Sequence, residues 1–392
     1  MRRERSSDPR YDEGCGMKIL AITDLSGYMV GGPTTAATHL LNGLAEKGHS
    51  VTLANEHPYP GLRGVTHVNL KVSDHESVQR HVSTLVNAVQ PDIVHLLSMG
   101  QRTLRRIGPA LSAARWVLTV HSVPPYERIL GVAHRQDWMH YGLRNLQYAP
   151  HAVGWRLLLR SLDVPAIVAH SPFVRSVLTA YGAPDSSVHV IDLAVEDDDN
   201  ASTAAPTAGV TRIVTVAGIA HTKGLHDAIR AIGRLRKDFP GLHYRIVGEV
   251  RDASYLRYLH AIVEELGLQA QVQISERVSS SDKSVLLAQA HLYLQPSHEE
   301  GFCLAYLEAA MTVPRLVGTD TGAIRRISDG LANARVVPAR SVDAIVSSIA
   351  DLLSHAVSDP AELNARRSRL LSHYSWRNHV EQHELLYRSL LN

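Results

Sequence analysis

Cysteine is scarce: two residues in 392, Cys15 and Cys303. That is too few for a disulfide scaffold, and although one bridge stays open, a reducing compartment is the simpler reading. A charge excess of one sign is also lacking, with 40 basic against 38 acidic residues and a net charge of +2. Such balance gives no case for a nucleic-acid partner. The basic clusters are local, "QRTLRR" at 101–106 and "WRLLLR" at 155–160. No run approaches the roughly 20 apolar residues that span a bilayer. The opening "MRRERSSDPRYDEGCG" is polar and has no apolar h-region, so it is not a secretory signal. Residues 1–16 are expected to be a disordered extension or a start-site artefact. No HExxH is present, and the 23 histidines are scattered. The pair His379/His383 lies in a polar late helix with no third ligand at a telling spacing, which reads as surface histidine. No metal site is expected.

What is present is a globular composition, 45% hydrophobic and 20% charged, in a chain long enough for two to three domains at about 150 residues each. Short apolar runs alternate with helical patterns. "MKILAIT", "HSVTLAN", "PDIVHLL", "RWVLTVH", "AIVAHS" and "VHVIDLA" read as strands in the first half. The helix "TTAATHLLNGLAEKG" follows the first strand and stops at Gly48. Strands apolar on both faces and separated by helices indicate a parallel sheet covered on both sides.

At 196–210, "EDDDNASTAAPTAGV", the pattern gives way to a linker signature. The alternation then restarts with "TRIVTVAG", "LHYRIVGE", "AQVQIS" and "HLYLQPS" as strands. The predicted fold class is α/β, two doubly wound Rossmann-like domains facing a central cleft. Their predicted spans are 17–195 and 211–370, with a C-terminal helix at 371–392 packing back towards the first domain.

Three loops carry candidate chemistry. In "SGYMVGGPTT" (26–35), Gly31 and Gly32 let a ligand approach the backbone, and the following helix offers free N–H groups to an anion. The G-x-G-x-x-G fingerprint is absent, so no dinucleotide is indicated, and a plain βα turn that needs glycine is the alternative. In "AGIAHTKGLHDAI" (217–229), Lys223 sits at a strand-to-helix junction, where the dipole disfavours a cation. A bound polyanion would account for it, and so would a solvated lysine.

The third loop, "PSHEEGFCLAYLEA", places Glu300 just before a helix and Glu308 within it. If the whole interval were helical, about 12 Å along the axis and about 80° around it would separate them. A glycosidase pair needs roughly 5–9.5 Å between carboxyl groups facing one bond, so hydrolysis is disfavoured. Carboxylates bracketing a helix N-terminus suit a ligand with hydroxyls at each end and an anion between, the shape of a nucleoside diphosphate sugar. Ordinary helix-start and surface acids are the alternative.

"PSHEEGFCLAYLEA" resembles the E-x7-E signature of the retaining glycosyltransferases of family four, which have the two-domain GT-B architecture. The resemblance runs from Met17 over nearly the whole chain, through "GHSVTL", "VLTVHS", "AHSPFVRSVL", "VTVAGIAHTKG" and "IVGE". It implies that Glu308 holds ribose hydroxyls, Glu300 a donor-sugar hydroxyl, and the amides of Gly301, Phe302, Cys303 and Leu304 the sugar and phosphate. It further implies that Lys223 neutralises the departing diphosphate, Gly31 and Gly32 lie against phosphates and acceptor, and His121 contacts the donor sugar. No metal or other cofactor is implied, since a basic residue and helix dipoles stabilise the charge.

The sequence departs from the family pattern in several places. Ile219 replaces an arginine before Lys223, Cys303 replaces a glycine, "AAMTVPRLV" lacks the glycine before Pro314, and Arg325-Arg326 replaces Pro-Glu. These changes bear on donor affinity and identity more than on the fold, and Arg325 or Arg326 is a candidate source of the missing charge.

The expected function is transfer of a sugar from a nucleotide-diphosphate donor to a glycan, lipid-linked or small-molecule acceptor. A nucleotide-sugar epimerase and a non-catalytic nucleotide-sugar-binding protein are the alternatives. The stretch 139–160, "MHYGLRNLQYAPHAVGWRLLLR", reads either as an amphipathic helix with a core face or as a peripheral membrane contact. The expected location is cytoplasmic, with that contact at the inner face of the membrane.

Overall fold

The computed structural model describes residues 16–24, 32–57, 59, 61–71, 77–121, 149–196, 210–276, 278–355 and 360–392. Nearly all of the expected linker and N-terminal extension, and Gly31, lie outside these residues. The chain divides into two units, Met1–Ala194 with Tyr374–Asn392, and Val195–His373.

The first unit has seven parallel strands: β1 (Lys18–Ile22), β2 (Ser50–Asn55), β3 (Val65–Asn69), β4 (Ile93–Leu97), β5 (Trp116–Val120), β6 (Ala166–Ala169) and β7 (Val188–Val190). Their order is β3-β2-β1-β4-β5-β6-β7. Alternation along β1 explains why both faces are covered. Leu20 and Ile22 point into one apolar cluster with Val94, Leu96 and Leu118, whereas Ile19 and Ala21 point into another with Leu53, Ile93 and Val117. A two-sided burial of this kind needs helices on both faces. Among those described are α1 (Gly32–Glu46), α2 (Val78–Val89), α3 (Gln101–Ile107), α4 (Ala149–Ser161) and α5 (Pro172–Ala180). β3, whose side chains are mostly exposed, sits at the sheet edge and gave no apolar signal in the sequence.

Helix α4 buries Trp155, Leu158 and Leu159 in the first cluster and leaves Leu157 exposed. It is therefore an amphipathic helix with a core face. None of the described helices is long and apolar enough to cross a membrane.

The chain end closes the other face. Ser375 caps the helix Trp376–Leu391 by accepting from Asn378 N–H, and the helix buries Val380, Leu386, Tyr387 and Leu391 in the second cluster. Glu384 pairs with Lys47 at 2.7 Å. The expectation of surface histidines fails here: His379 and His383 are 3% and 1% exposed. They join buried His95 and His170 and half-buried His121 in a run of imidazoles, with His121–His170 and His379–His383 ring centroids 4.7 and 4.5 Å apart. His95, His170, His379 and His383 each have a polar partner suited to a neutral imidazole. His95 lies between Tyr387 Oη at 2.6 Å and Thr119 Oγ1 at 2.7 Å. His170 Nδ1 donates to the Ile191 carbonyl, His379 Nδ1 to that of Asp192, and His383 Nδ1 to that of His379.

The second unit repeats the winding with six parallel strands: β8 (Thr211–Val216), β9 (Leu242–Val247), β10 (Val272–Ser275), β11 (Leu292–Gln295), β12 (Leu316–Thr319) and β13 (Ala334–Val337), ordered β10-β9-β8-β11-β12-β13. Its helices are α6 (Leu225–Leu235), α7 (Ala253–Glu265), α8 (Ser280–Ala288), α9 (Leu304–Ala310), α10 (Ile324–Ser328), α11 (Val342–Ser354) and α12 (Pro360–His373), and the C-terminal helix Trp376–Leu391 is α13. In such a sheet the direction of winding reverses between β8 and β11. The loops leaving the C-terminal ends of those two strands diverge there and form a crevice suited to ligands.

Candidate active site

Both loops at the second unit's reversal point carry candidate residues. After β8 the chain makes one 3-10 turn, His221–Lys223, and enters α6 through Gly224 at φ 59°. A Cβ on Gly224 would lie 2.1 Å from the Pro296 carbonyl, so only glycine allows the two loops to touch there. The contact is closed by Thr222, whose carbonyl accepts from His298 N–H at 2.8 Å. This backbone seam brings Lys223 Nζ to 2.8 Å from Glu300 Oε2.

Glu300 is held from a second side. Its Oε1 accepts from Ser297 Oγ at 2.7 Å and from Gln295 Nε2 at 3.1 Å. Gln295 is itself fixed by Tyr293 Oη at 2.8 Å. Burial works to lower the Lys223 pKa, but the Glu300 carboxylate more than offsets it and holds the ammonium above its ordinary value. A carboxylate offers about four lone-pair sites, and Lys223, Ser297, Gln295 and the Cys303 thiol use them. A ligand hydroxyl would take the place of the weak thiol donor, and two N–H donors of Lys223 remain for an anion.

Gly301, Phe302 and Cys303 complete the loop into α9. Phe302 is buried, and its carbonyl accepts from Ala323 N–H at 2.8 Å. Gly322, at φ 59°, allows this approach, because a Cβ there would sit 2.8 Å from Glu300 Cβ. Cys303 is buried and adopts φ 87°, a left-handed conformation that glycine takes without strain. Burial, with Glu300 nearby, pushes its thiol pKa well up, so the sulfur stays protonated. Leu304 opens α9, and Glu308 lies within it, paired with Lys283 Nζ at 2.8 Å. The two glutamates thus each have their own lysine, one from the β8 loop and one from α8. Lys283 was not legible as a partner, because only the fold brings α8 beside α9. Arg325, a candidate for the missing charge, is exposed and held in a two-point ion pair with Asp320.

In the first unit, Gly32 opens α1 after β1. His121 follows β5 and packs on the His170 ring. Burial, then the neighbouring His379 and His95, hold its pKa down to about 3. It is therefore a neutral hydrogen-bonding group at physiological pH. A surface groove of about 500 Å³ in this unit, lined by Arg175, His189, Ile191, Gln382 and Leu386, includes none of the candidate residues.

Two doubly wound parallel sheets in one chain define an α/β protein of the GT-B architecture, and solved structures of that architecture superpose on it. A glycosyltransferase from Rickettsia africae matches with a TM-score of 0.71 at 16% identity, covering 96% of this chain and 99% of that one. Anabaena Alr3699/HepE in complex with UDP and glucose matches at 0.68 and 15%, covering 95% and 100%.

Sequence comparison gives the family. Residues 30–199 match the model described as Glycosyltransferase Family 4, and residues 198–368 match Glycosyl transferases group 1. The chain belongs to these glycosyltransferases. A glycogen synthase of Mycobacterium tuberculosis is 28% identical over 44% of this chain and 41% of its own. A GDP-mannose-dependent alpha-(1-6)-phosphatidylinositol monomannoside mannosyltransferase of Mycolicibacterium smegmatis is 26% identical over 58% and 65%. The match thus spans between two fifths and two thirds of these relatives' length.

Proposed function

We propose that the protein is a retaining glycosyltransferase that moves a sugar from a nucleotide-diphosphate donor to a glycan, lipid-linked or small-molecule acceptor, with no metal in the chemistry. The observation that carries this reading is the Lys223–Glu300 pair, 2.8 Å apart where the loops of β8 and β11 meet. The unspent donors of Lys223 match a diphosphate, and Glu300 matches a sugar hydroxyl that takes the place of the Cys303 thiol. Lys223 stabilises the charge that develops on the diphosphate as the glycosidic bond breaks, and Glu300 fixes the sugar by accepting from one of its hydroxyls. Glu308 takes the ribose hydroxyls, and the amides of Gly301 to Leu304 take the sugar and phosphate. His121, neutral, offers a hydrogen bond to the donor sugar without adding charge, and Gly31 and Gly32 lie against phosphates and acceptor. The leaving phosphate acts as base for front-face attack, so the anomeric configuration is kept. We place the protein in the cytoplasm, at the inner membrane face when its acceptor is lipid-linked.

The names of the relatives point to different nucleotides, GDP-mannose in one case and UDP with glucose in another, so the donor is read by experiment. Thermal unfolding against a panel of UDP, GDP and ADP sugars is expected to single out one donor. At one hundred times its dissociation constant that donor adds about 2.7 kcal/mol of stability. Proton NMR of the product then gives the anomeric configuration. Conversion of the donor with no acceptor present would instead identify an epimerase. Absence of any stabilising nucleotide sugar would refute the reading.

A further inference from the structure

Below the Lys223–Glu300 pair lies a second cluster that the transfer chemistry does not use. We infer that His226, Asp227 and His298 form a binding site for one divalent transition-metal ion of the zinc class, tying the start of α6 to the loop after β11. His226 and Asp227 lie in the first turn of α6, and all three residues are buried, at 0%, 2% and 5% exposure. One ligand atom from each lies within 4.8 Å of the other two. His298 Nε2 is 2.7 Å from Asp227 Oδ2, and His226 Nε2 is 3.6 Å from Asp227 Oδ1. Two ligands on one tetrahedral zinc, each about 2.05 Å from it, stand about 3.3 Å apart. The observed separations bracket that value.

Ring geometry supports the same reading. Imidazoles on one tetrahedral ion have ring centres about 5.2 Å apart, from bond lengths near 2.05 Å. The His226–His298 centroids are 5.2 Å apart. The His221 ring packs beside the set, its centroid 5.1 Å from that of His226 and 5.7 Å from that of His298, but it is not one of the three residues whose ligand atoms converge. His226 Nδ1 is 2.8 Å from Tyr255 Oη, the outer-shell hydrogen bond that directs the opposite nitrogen towards a metal. His298 Nδ1 is buried with no hydrogen-bond partner. The guanidinium of Arg230 stands 3.9 Å from Asp227 Oδ1 but donates to Tyr258 Oη at 2.8 Å. Two neutral imidazoles and one carboxylate suit zinc rather than magnesium or calcium, which prefer oxygen.

The test uses untagged full-length protein, freed of metal by chelation and titrated with Zn²⁺ against a chromophoric chelator. One equivalent is expected to bind, and Co²⁺ is expected to give the visible absorption of a four-coordinate nitrogen–oxygen site. His226→Gln with His298→Gln should weaken Zn²⁺ binding more than about 100-fold, with the fold checked by circular dichroism, and His221→Gln should weaken it less. X-ray absorption of the zinc-loaded wild type reads the site even if the double variant does not fold, and only nitrogen and oxygen neighbours with histidine scattering are expected. No stoichiometric binding, binding that survives the double variant, or sulfur in the zinc shell would overturn the inference. In the first case the three side chains are a buried hydrogen-bonded cluster and nothing more.

Discussion

Replacing Lys223 with alanine tests the structural and chemical roles of the site together. The ammonium and the Glu300 carboxylate are 2.8 Å apart, with side chains 19% and 9% exposed. Removing one partner of a well-buried pair costs about 3–5 kcal/mol. Glu300 keeps Ser297 and Gln295 as donors, so the expected loss is smaller, about 2–3 kcal/mol. At about 2–4 °C per kcal/mol for a domain of this size, Tm falls by roughly 5–10 °C. The protein stays folded, and kcat falls about 100- to 1,000-fold, the usual loss of one charge-stabilising donor. Calorimetry of wild type, Lys223→Ala, Glu300→Gln and the double variant at neutral pH reads this. The double variant should be less destabilised than the sum of the singles. Strict additivity, an unchanged Tm and an undiminished kcat would refute the argument.

Glu308→Ala frees Lys283, which is partly exposed. The stability cost should stay below about 1 kcal/mol, while donor KM rises at least tenfold in a transfer assay. Cys303 sits at φ 87°, a conformation that costs a non-glycine residue about 1–2 kcal/mol. Cys303→Gly should therefore be no less stable than Cys303→Ala in urea unfolding, against the usual advantage of alanine of about 0.4–1 kcal/mol. His95, His121, His170 and His379 are each held down to about 3, first by burial. Depressed folded pKa values mean stability is complete above the unfolded value near 6.5 and is lost as pH falls below it. Each group costs about 1.4 kcal/mol per pH unit, so four cost on the order of 5 kcal/mol at pH 5.5, comparable to a whole domain's stability. Among the described residues the tryptophans, Trp116, Trp155 and Trp376, all belong to the first unit, so the fluorescence should change between about pH 6 and 5; no change above about pH 4 would contradict this. Exposed Leu157 beside Arg156 predicts flotation with anionic but not neutral liposomes, and loss of flotation in Leu157→Glu.

The strand series could be read because each buried strand is apolar on both faces, and no tertiary information was needed to see it. β3 was invisible for the opposite reason: an edge strand with polar, exposed side chains carries no periodicity to find. β12 (LVGT) and β13 (ARVV) were not picked out either, since a glycine interrupts the first and an arginine the second, and β13 is only partly buried. The unusual position of Lys223 at a helix start was legible as electrostatic misfit, and its partner proved to be Glu300. That the partner was Glu300 could not be read, because 77 residues separate them and only the order β8-β11 places their loops together. Lys283 and Glu308 meet for the same kind of reason. Cys303 could be seen as a departure from a resemblance, but the left-handed backbone that makes it costly is a property of the fold.

The histidines show how misleading a linear reading of one residue type can be. Scattered along the sequence, they showed no ligand set, and His379 and His383 read as surface residues. Folding gathers five of them under α13 in the first unit and three around Asp227 in the second. The two groups differ in what they can do. In the first, His95, His170, His379 and His383 each spend a nitrogen on a hydroxyl or a carbonyl, and among the described residues no three of these imidazoles bring ligand atoms together. That group acts through neutrality, tying the chain end to the sheet as long as the rings carry no proton. In the second, a carboxylate is buried with the imidazoles and draws two ring nitrogens to one point. Burial without an acid produces a pH-sensitive joint, whereas burial with one produces a ligand set, and that difference turns on the single residue Asp227.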